Sequence, residues 1–446
     1  MPQYKKLGNE PIRKLLFKQS LPAMIGLLVL SLYNFVDAIF IGRGVGSLGI
    51  ASLAIVFPIQ MIFMSFSHAI GIGISSIISR SLGAKKPAKA ELALGNFFSL
   101  SLIVGISLTI FAWLLKIPLL KLFGATPTIL PFASNYLTII IFGTVFLTIS
   151  AASNHIIRSE GNSKYAMFVM ITGAVINIIL DPIFIFGMNM GMKGAALATV
   201  IGQFVSFILA LIYFFKGRSD VKLKLHNMKL DKPIVKETMK IGSSSLARNA
   251  SSNVISILFN HSLGFYGGDL AIAAYGIINR LAMFTLMPLF GLIQGMQPIL
   301  GFNYGAKNFL RVKEVIKEAM KYSTLMAFGA FIVLMLFSRQ LISMFTTDTS
   351  LIGLTTPALR IVMLMIPLIG FQIVAGGMYQ SMGQAKKAFF ISIMRQTLFL
   401  IPFILILPKV IGLKGIFLTL PISDLLAAIV TFFIVKKEFK KLRCSK

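Results

Sequence analysis

The sequence is 446 residues long, 56% hydrophobic and only 13% charged, with a mean hydropathy of +0.86; this excludes an ordinary soluble domain. A formal net charge of +29 invites a nucleic-acid partner, but the basic residues sit in short segments between long apolar runs, and that distribution excludes one. The lone cysteine, Cys444, excludes an intrachain disulfide and a cysteine-based metal site.

Twelve apolar runs follow one another along the chain. Each is long enough to cross roughly 30 Å of hydrocarbon as a helix. The first, 15–41, carries Tyr33, Asn34 and a single acid, Asp37, near its far end. The second and third, 50–79 and 92–116, flank the turn Ser81-Leu82-Gly83-Ala84-Lys85. The fourth, 131–157, holds Tyr136 and Asn154; the fifth, 164–188, holds Met170, Asn177 and Asp181; the sixth, 194–215, holds Thr199. A polar stretch at 216–239 then interrupts the pattern. Six more runs follow at 240–263, 270–303, 315–338, 353–380, 388–408 and 414–435. These runs are too long and too evenly apolar for barrel strands, so the fold class is all-α integral membrane. No cleavable signal peptide is expected, because the first run is too long and no small-residue cleavage site follows it.

Charge orients the chain. Of 43 Lys and Arg, 32 fall on the side shared by both termini, 7 on the other side, and 4 inside apolar runs. The bias predicts a multi-pass protein of the cell membrane with both termini cytoplasmic. The basic tail KKEFKKLRCSK is read as a contact for anionic membrane lipids.

The chain also repeats itself. Ser81-Leu82-Gly83-Ala84-Lys85 recurs as Asn303-Tyr304-Gly305-Ala306-Lys307 at an offset of 222 residues. Ser159, Gly161 and Lys164 recur as Ser381, Gly383 and Lys386 at the same offset, and Gly191–Gly194 recurs as Gly412–Gly415 at 221. Six helices per half return the chain to its starting side. The halves are therefore parallel, related by a pseudo-two-fold axis along the membrane normal. The expected organisation is an N-lobe at 1–215, a cytoplasmic linker at 216–239, and a C-lobe with the tail at 240–446. Pro22, Pro58, Pro182, Pro288, Pro298, Pro367 and Pro402 lie inside apolar runs and are candidate kinks.

Asp37 and Asp181 are the candidate functional residues. Each is the single acid of its run, in a chain with 14 carboxylates. An ionised side chain at bilayer depth costs at least about 2.5–3.5 kcal/mol, and such groups mark ion or substrate paths. Counted along the helices, Asp37, Asp181 and Thr199 all lie roughly 6–11 Å below the outer boundary. Asn177 shares the Asp181 face one turn deeper, and Tyr33 and Asn34 flank Asp37. Two carboxylates, an amide oxygen and a hydroxyl form an oxygen-only set suited to sodium; the same acids could instead share a proton. The sequence leaves both open. Asp424 is expected to be structural, paired with Arg395, and Arg248, Arg280 and Arg360 are expected to be structural too. His68, His155 and His261 each stand alone in their runs and are expected to make helix–helix hydrogen bonds. Methionines such as Met167 and Met170, with the many phenylalanines, suit an adaptable apolar wall. At the repeat offset, Asp37 meets Phe259, Asp181 meets Phe403 and Thr199 meets Pro421: the architecture repeats and the acids do not. No nucleotide-binding, nucleophile-elbow or zinc motif is present, so no enzyme activity and no cofactor are expected.

Five segments in order resemble the multidrug and toxic compound extrusion (MATE) family across nearly the whole chain. They are Val36–Gly42, Ser79–Ala84, Asn177–Phe184, Gly194–Thr199, and Gln297-Pro298-Ile299 with Asn303–Ala306. The resemblance implies a twelve-helix antiporter of two six-helix lobes. Such a transporter exports amphipathic, often cationic compounds against inward sodium or proton flow. It implies that Asp37, Asn177, Asp181 and Thr199 form the cation-coupling site. It also implies that Tyr136 and Asn154 belong to the cavity; Tyr33 and Asn34, flanking Asp37, and Met170, of the methionine wall, are added to it on the residue reading above. One branch of the family carries acids on helices 7 and 10; this chain has none there, which argues against a C-lobe cation site. Expected partners are small amphipathic substrates and membrane lipids, with no nucleic acid, and the chain is expected to act as a monomer. The alternative reading is a flippase of the same superfamily for a lipid-linked or anionic substrate.

Overall fold

The computed structural model describes residues 3–444; the last two residues of the basic tail lie outside them. The first six spans are α1 (Ile12–Gly44), α2 (Ser47–Gly83), α3 (Pro87–Leu114), α4 (Leu130–Ser159), α5 (Ser163–Pro182) and α6 (Gly191–Phe215). A π-helical turn, Ile183–Gly187, extends α5 just beyond Pro182, which cannot donate to the α-helical ladder. Spans α7 and α8 are the two arms of Lys232–Gly305, divided at Gly268 (φ 63°, ψ −163°), a conformation that only glycine adopts readily. Span α9 is Phe309–Leu336. Span α10 is broken into Thr349–Val362 and Ile366–Ser381, bent by 51°, with Pro367 in the first turn of the second piece. Span α11 covers Ala385–Ile411 through a π-helical turn at Met394–Leu400, and α12 is Leu413–Cys444. With Lys232–Gly305 divided and the bent pair joined, the described residues hold the twelve expected spans.

Two differences from the sequence reading have simple causes. Helix α7 begins at Lys232, because Asp231 caps it by accepting from Ile234 N at 2.9 Å. The irregular connection is thus shorter than 216–239. It is also docked on the N-lobe rather than free: Asn96 Nδ2 donates to Asn227 O at 3.2 Å, and Lys224 pairs with Glu91 at 2.6 Å. The second difference is a short helix, Gln3–Asn9, ahead of the first span. Its Leu7 is fully buried, and it bridges the lobes. Tyr4 N donates to Asp220 Oδ2 at 3.1 Å on one side, and Leu7 O accepts from Asn303 Nδ2 at 2.9 Å on the other.

The repeat is visible in the backbone. Left-handed residues recur at the repeat offset: Gly46 with Gly268, Lys85 with Lys307, Gly161 with Gly383, and, one residue short, Gly191 with Gly412. The lobes meet through α1 and α2 against α7 and α8. A Cβ on Gly83 would lie 1.9 Å from Phe302 O, and one on Gly305 would lie 2.0 Å from Arg80 O. Residues 80 and 83 are the repeat equivalents of 302 and 305. Such reciprocal contact between equivalent positions is the mark of a two-fold axis running through the seam. The end of the molecule carrying both termini is called the inner end below. Among the described residues, every hydrogen bond joining the lobes lies in its half, the outermost being Asn249 Nδ2 to Ser65 Oγ at 2.8 Å. Farther in, Arg80 pairs with Glu237 at 2.9 Å, and Ser76 Oγ donates to Gln380 O at 2.6 Å. The seam is shut at the inner end and unbonded at the outer end, where Asp37 lies.

Candidate cation site

The N-lobe gathers one polar cluster near its outer end. Helix α1 supplies Asp37, α5 supplies Asn177 and Asp181, α6 supplies Thr199, and α4 supplies Tyr136. Asp37 and Asp181 are buried, at 6% and 0% exposure, with their carboxyl groups next to each other. Asn177 precedes Asp181 by one helical turn, so its amide stacks beneath the carboxylate. With Nδ2 turned to Asp181 Oδ2 (3.3 Å), its oxygen accepts from Thr199 Oγ1 (3.3 Å), and each donor faces an acceptor. The Tyr136 phenol is buried near Thr199 and Gln60. Tyr33 lies close to both acids. Asp37 Oδ1 is buried without a hydrogen-bond partner. Two buried carboxyl groups in contact repel unless a proton or a cation sits between them. Every ligand-capable atom here is oxygen, and no group of three His, Cys, Asp or Glu exists among the described residues. The set therefore suits a proton or a transient hard cation rather than a resident transition metal.

Other expected residues stand apart. Asn34 is exposed and donates to Leu30 O at 2.8 Å, one turn back on its own helix. Asn154 donates to Ser150 O at 3.2 Å. It lies eighteen residues along α4 from Tyr136, roughly 27 Å away, and so cannot reach the acids. Met170 is likewise eleven residues, about 16 Å, inward of Asp181; its thioether accepts from Arg158 Nη2 at 3.2 Å.

In the C-lobe, Phe259 is fully buried and stacks on Tyr275 at 5.0 Å, and no acid replaces Asp37. Asp424 is buried against Arg395 in an ion pair, as the sequence suggested. Arg360 Nε donates to Ser338 Oγ at 3.0 Å, Arg248 lies over the Phe290 ring at 5.9 Å, and Arg280 is exposed. Two of the histidines expected to be isolated, His68 and His155, meet edge to face with ring centroids 5.4 Å apart.

Sequence reasoning missed two residues. Gln60 carries no charge and gives no signal in an apolar run. Arg158 follows the fourth run and reads as a loop residue, yet it lies in the last turn of α4 and is 2% exposed. The N-lobe spans thus contain a buried arginine that the apolar-run pattern does not include.

The chain matches the MatE family profile twice, over residues 22–183 and 245–406. The two matches begin 223 residues apart, close to the offset of the repeat. It is 30% identical over 431 residues to the multidrug export protein MepA of Staphylococcus aureus (strain N315), covering 96% of this chain and 94% of that protein. It is similar to the solved MATE multidrug transporter DinF-BH, with a TM-score of 0.92 and 42% identity over 98% of both chains. A solved outward-facing MATE transporter of the MOP superfamily aligns with a TM-score of 0.94 and 26% identity over 99% of both chains.

Proposed function

This chain belongs to the multidrug and toxic compound extrusion (MatE) family, and we propose that it exports amphipathic, cationic compounds by alternating access, driven by inward movement of a proton or sodium ion. It is a multi-pass membrane transporter, not an enzyme. The observation carrying the proposal is the contact between Asp37 and Asp181 inside the N-lobe, with Asn177 and Thr199 beside them. The pair takes up one positive charge when the outer end is open. A cationic substrate and the coupling ion then compete for one negative centre, which is what exchange requires. The relatives support the substrate class: MepA is named as a multidrug exporter, and DinF-BH as a multidrug transporter. The charge bias of the loops supports placing the inner end in the cytoplasm.

A flippase for an anionic substrate would need a basic cavity, for which the candidates are Arg248, Arg280, Arg360 and Arg395. Arg395 is neutralised by Asp424 and Arg360 is tied to Ser338, which takes two of the four out of any basic cavity.

Ethidium efflux from energised vesicles tests the proposal, with sodium and pH gradients imposed separately. One gradient should drive uphill efflux in the wild type. Asp37→Asn and Asp181→Asn should each lose it, by at least about tenfold, a change of about 1.4 kcal/mol in the driving interaction, while the purified proteins remain folded. Wild-type uphill transport by Asp37→Asn would refute the assignment.

A further inference from the structure

Arg158 presents a charge that the transport reading does not use. Its Nη1 has no hydrogen-bond partner, and its Nη2 meets only the Met170 thioether. No acid faces it. Glu160 is turned the other way, towards Tyr213, Ser219 and the backbone N of Asp220. Glu237 is held by Arg80 and Lys89. The Asp37–Asp181 cluster lies level with Tyr136, roughly 33 Å away along α4.

Arg158 borders a cavity of about 10 Å³ in the inner seam, lined by Ser76, Ser79 and His155 from the N-lobe and by Gln297 and Gln380 from the C-lobe. That is room for about one water-sized guest. Its walls offer the guanidinium, the His155 ring and the second hydrogen of the Gln297 amide, whose Nε2 also donates to Gln380 Oε1 at 3.0 Å; the Ser79 hydroxyl is given to Ser76 O at 3.3 Å. A buried guanidinium needs both acceptors and an opposite charge. Water supplies only the first. A small anion supplies both.

We propose that this cavity is a binding site for a single small monovalent anion of the chloride type, formed only while the lobes are closed at the inner end. The closed seam brings its two walls together, with Ser76 Oγ donating to Gln380 O at 2.6 Å. Opening the inner end separates Arg158 from the glutamines. The anion therefore binds the inner-closed state in preference and shifts the conformational equilibrium towards it. The site lies roughly 33 Å along α4 from the level of the candidate coupling acids.

The test uses the purified full-length protein in potassium salts of matched ionic strength, so that sodium never changes. Chloride and bromide should each raise the melting temperature saturably above its value in gluconate. Arg158→Gln should lose that increment, and Gln297→Leu should weaken it. Bromide-soaked crystals should show an anomalous peak beside Arg158. Spin labels at Lys86→Cys and Leu310→Cys, in a Cys444→Ser background, should report a larger inner-closed fraction in chloride than in gluconate. Coincident wild-type melting curves in chloride and gluconate would overturn the site, as would an undiminished increment in Arg158→Gln. Should Arg158→Gln not fold, the wild-type melting comparison and the bromide map decide between the same two outcomes.

Discussion

Glu160 shows how one buried group ties stability to pH. It sits just past the inner end of α4, fully buried, and its carboxylate accepts from Tyr213 Oη at 2.8 Å, Ser219 Oγ at 2.7 Å and Asp220 N at 3.0 Å. Burial pushes its carboxyl up to about 7 from an ordinary 4.5, against the pull of those three donors. Between those values the folded protein binds more protons than the unfolded chain. The resulting stability is fully present below about pH 4.5 and is lost as pH rises through about 7, amounting to about 3 kcal/mol at most. The wild-type melting temperature should therefore fall between pH 6 and pH 8. Glu160→Gln should flatten that slope, and an equal slope in the variant would remove Glu160 as the cause. The residues legible in the sequence were charges that broke an apolar run, as Asp37, Asp181 and the Asp424–Arg395 pair did. Arg158 and Glu160 were not legible. They sit where a helix meets a loop, and only tertiary closure of the seam and of the 216–231 connection buries them.

At the scale of elements, the inner seam depends on backbone-to-backbone contact. Helices α2 and α8 cross so closely that neither Gly83 nor Gly305 has room for a Cβ. The obstructing atoms are the carbonyl oxygens of Phe302 and Arg80, which cannot swing aside as a side chain would. Gly83→Ala should thus prevent full closure of the inner end and leave each lobe folded. The expected result is a longer Lys86–Leu310 spin-label distance, with export reduced by about tenfold or more, equivalent to about 1.4 kcal/mol. A wild-type distance distribution in Gly83→Ala would show that the seam yields elsewhere. The glycines of this crossing were visible in the sequence as the repeated turn at 81–85 and 303–307, but their crossing was not, because a repeat reveals equivalence and not contact. The Gln3–Asn9 helix left no trace in hydropathy, since seven residues with one buried leucine are too few to show a period.

Taken whole, the molecule is symmetric in architecture and asymmetric in chemistry. The two lobes share turns, glycines and left-handed residues at one offset. Among the described residues, the N-lobe carries a buried pair of acids without a basic partner; the counterpart positions hold Phe259, stacked on Tyr275, and Phe403. On the proposed mechanism, a proton or sodium ion between Asp37 and Asp181 would change how α1 is held against α5 and α6. The same ion has no differential contact to make in the C-lobe, where Asp424 is already paired with Arg395. A ligand shifts a conformational equilibrium only by its difference in affinity for the two states, so the response should start in the N-lobe. Hydrogen exchange of the purified protein should change with pH or sodium mainly in α1, α5 and α6, and Asp37→Asn should erase that change. The connection at 216–231, docked on the N-lobe through Asn96 and Glu91, should follow those helices rather than the C-lobe. An equal response in α7, α11 and α12 that survives Asp37→Asn would sink this mechanism and move the coupling ion to the other lobe.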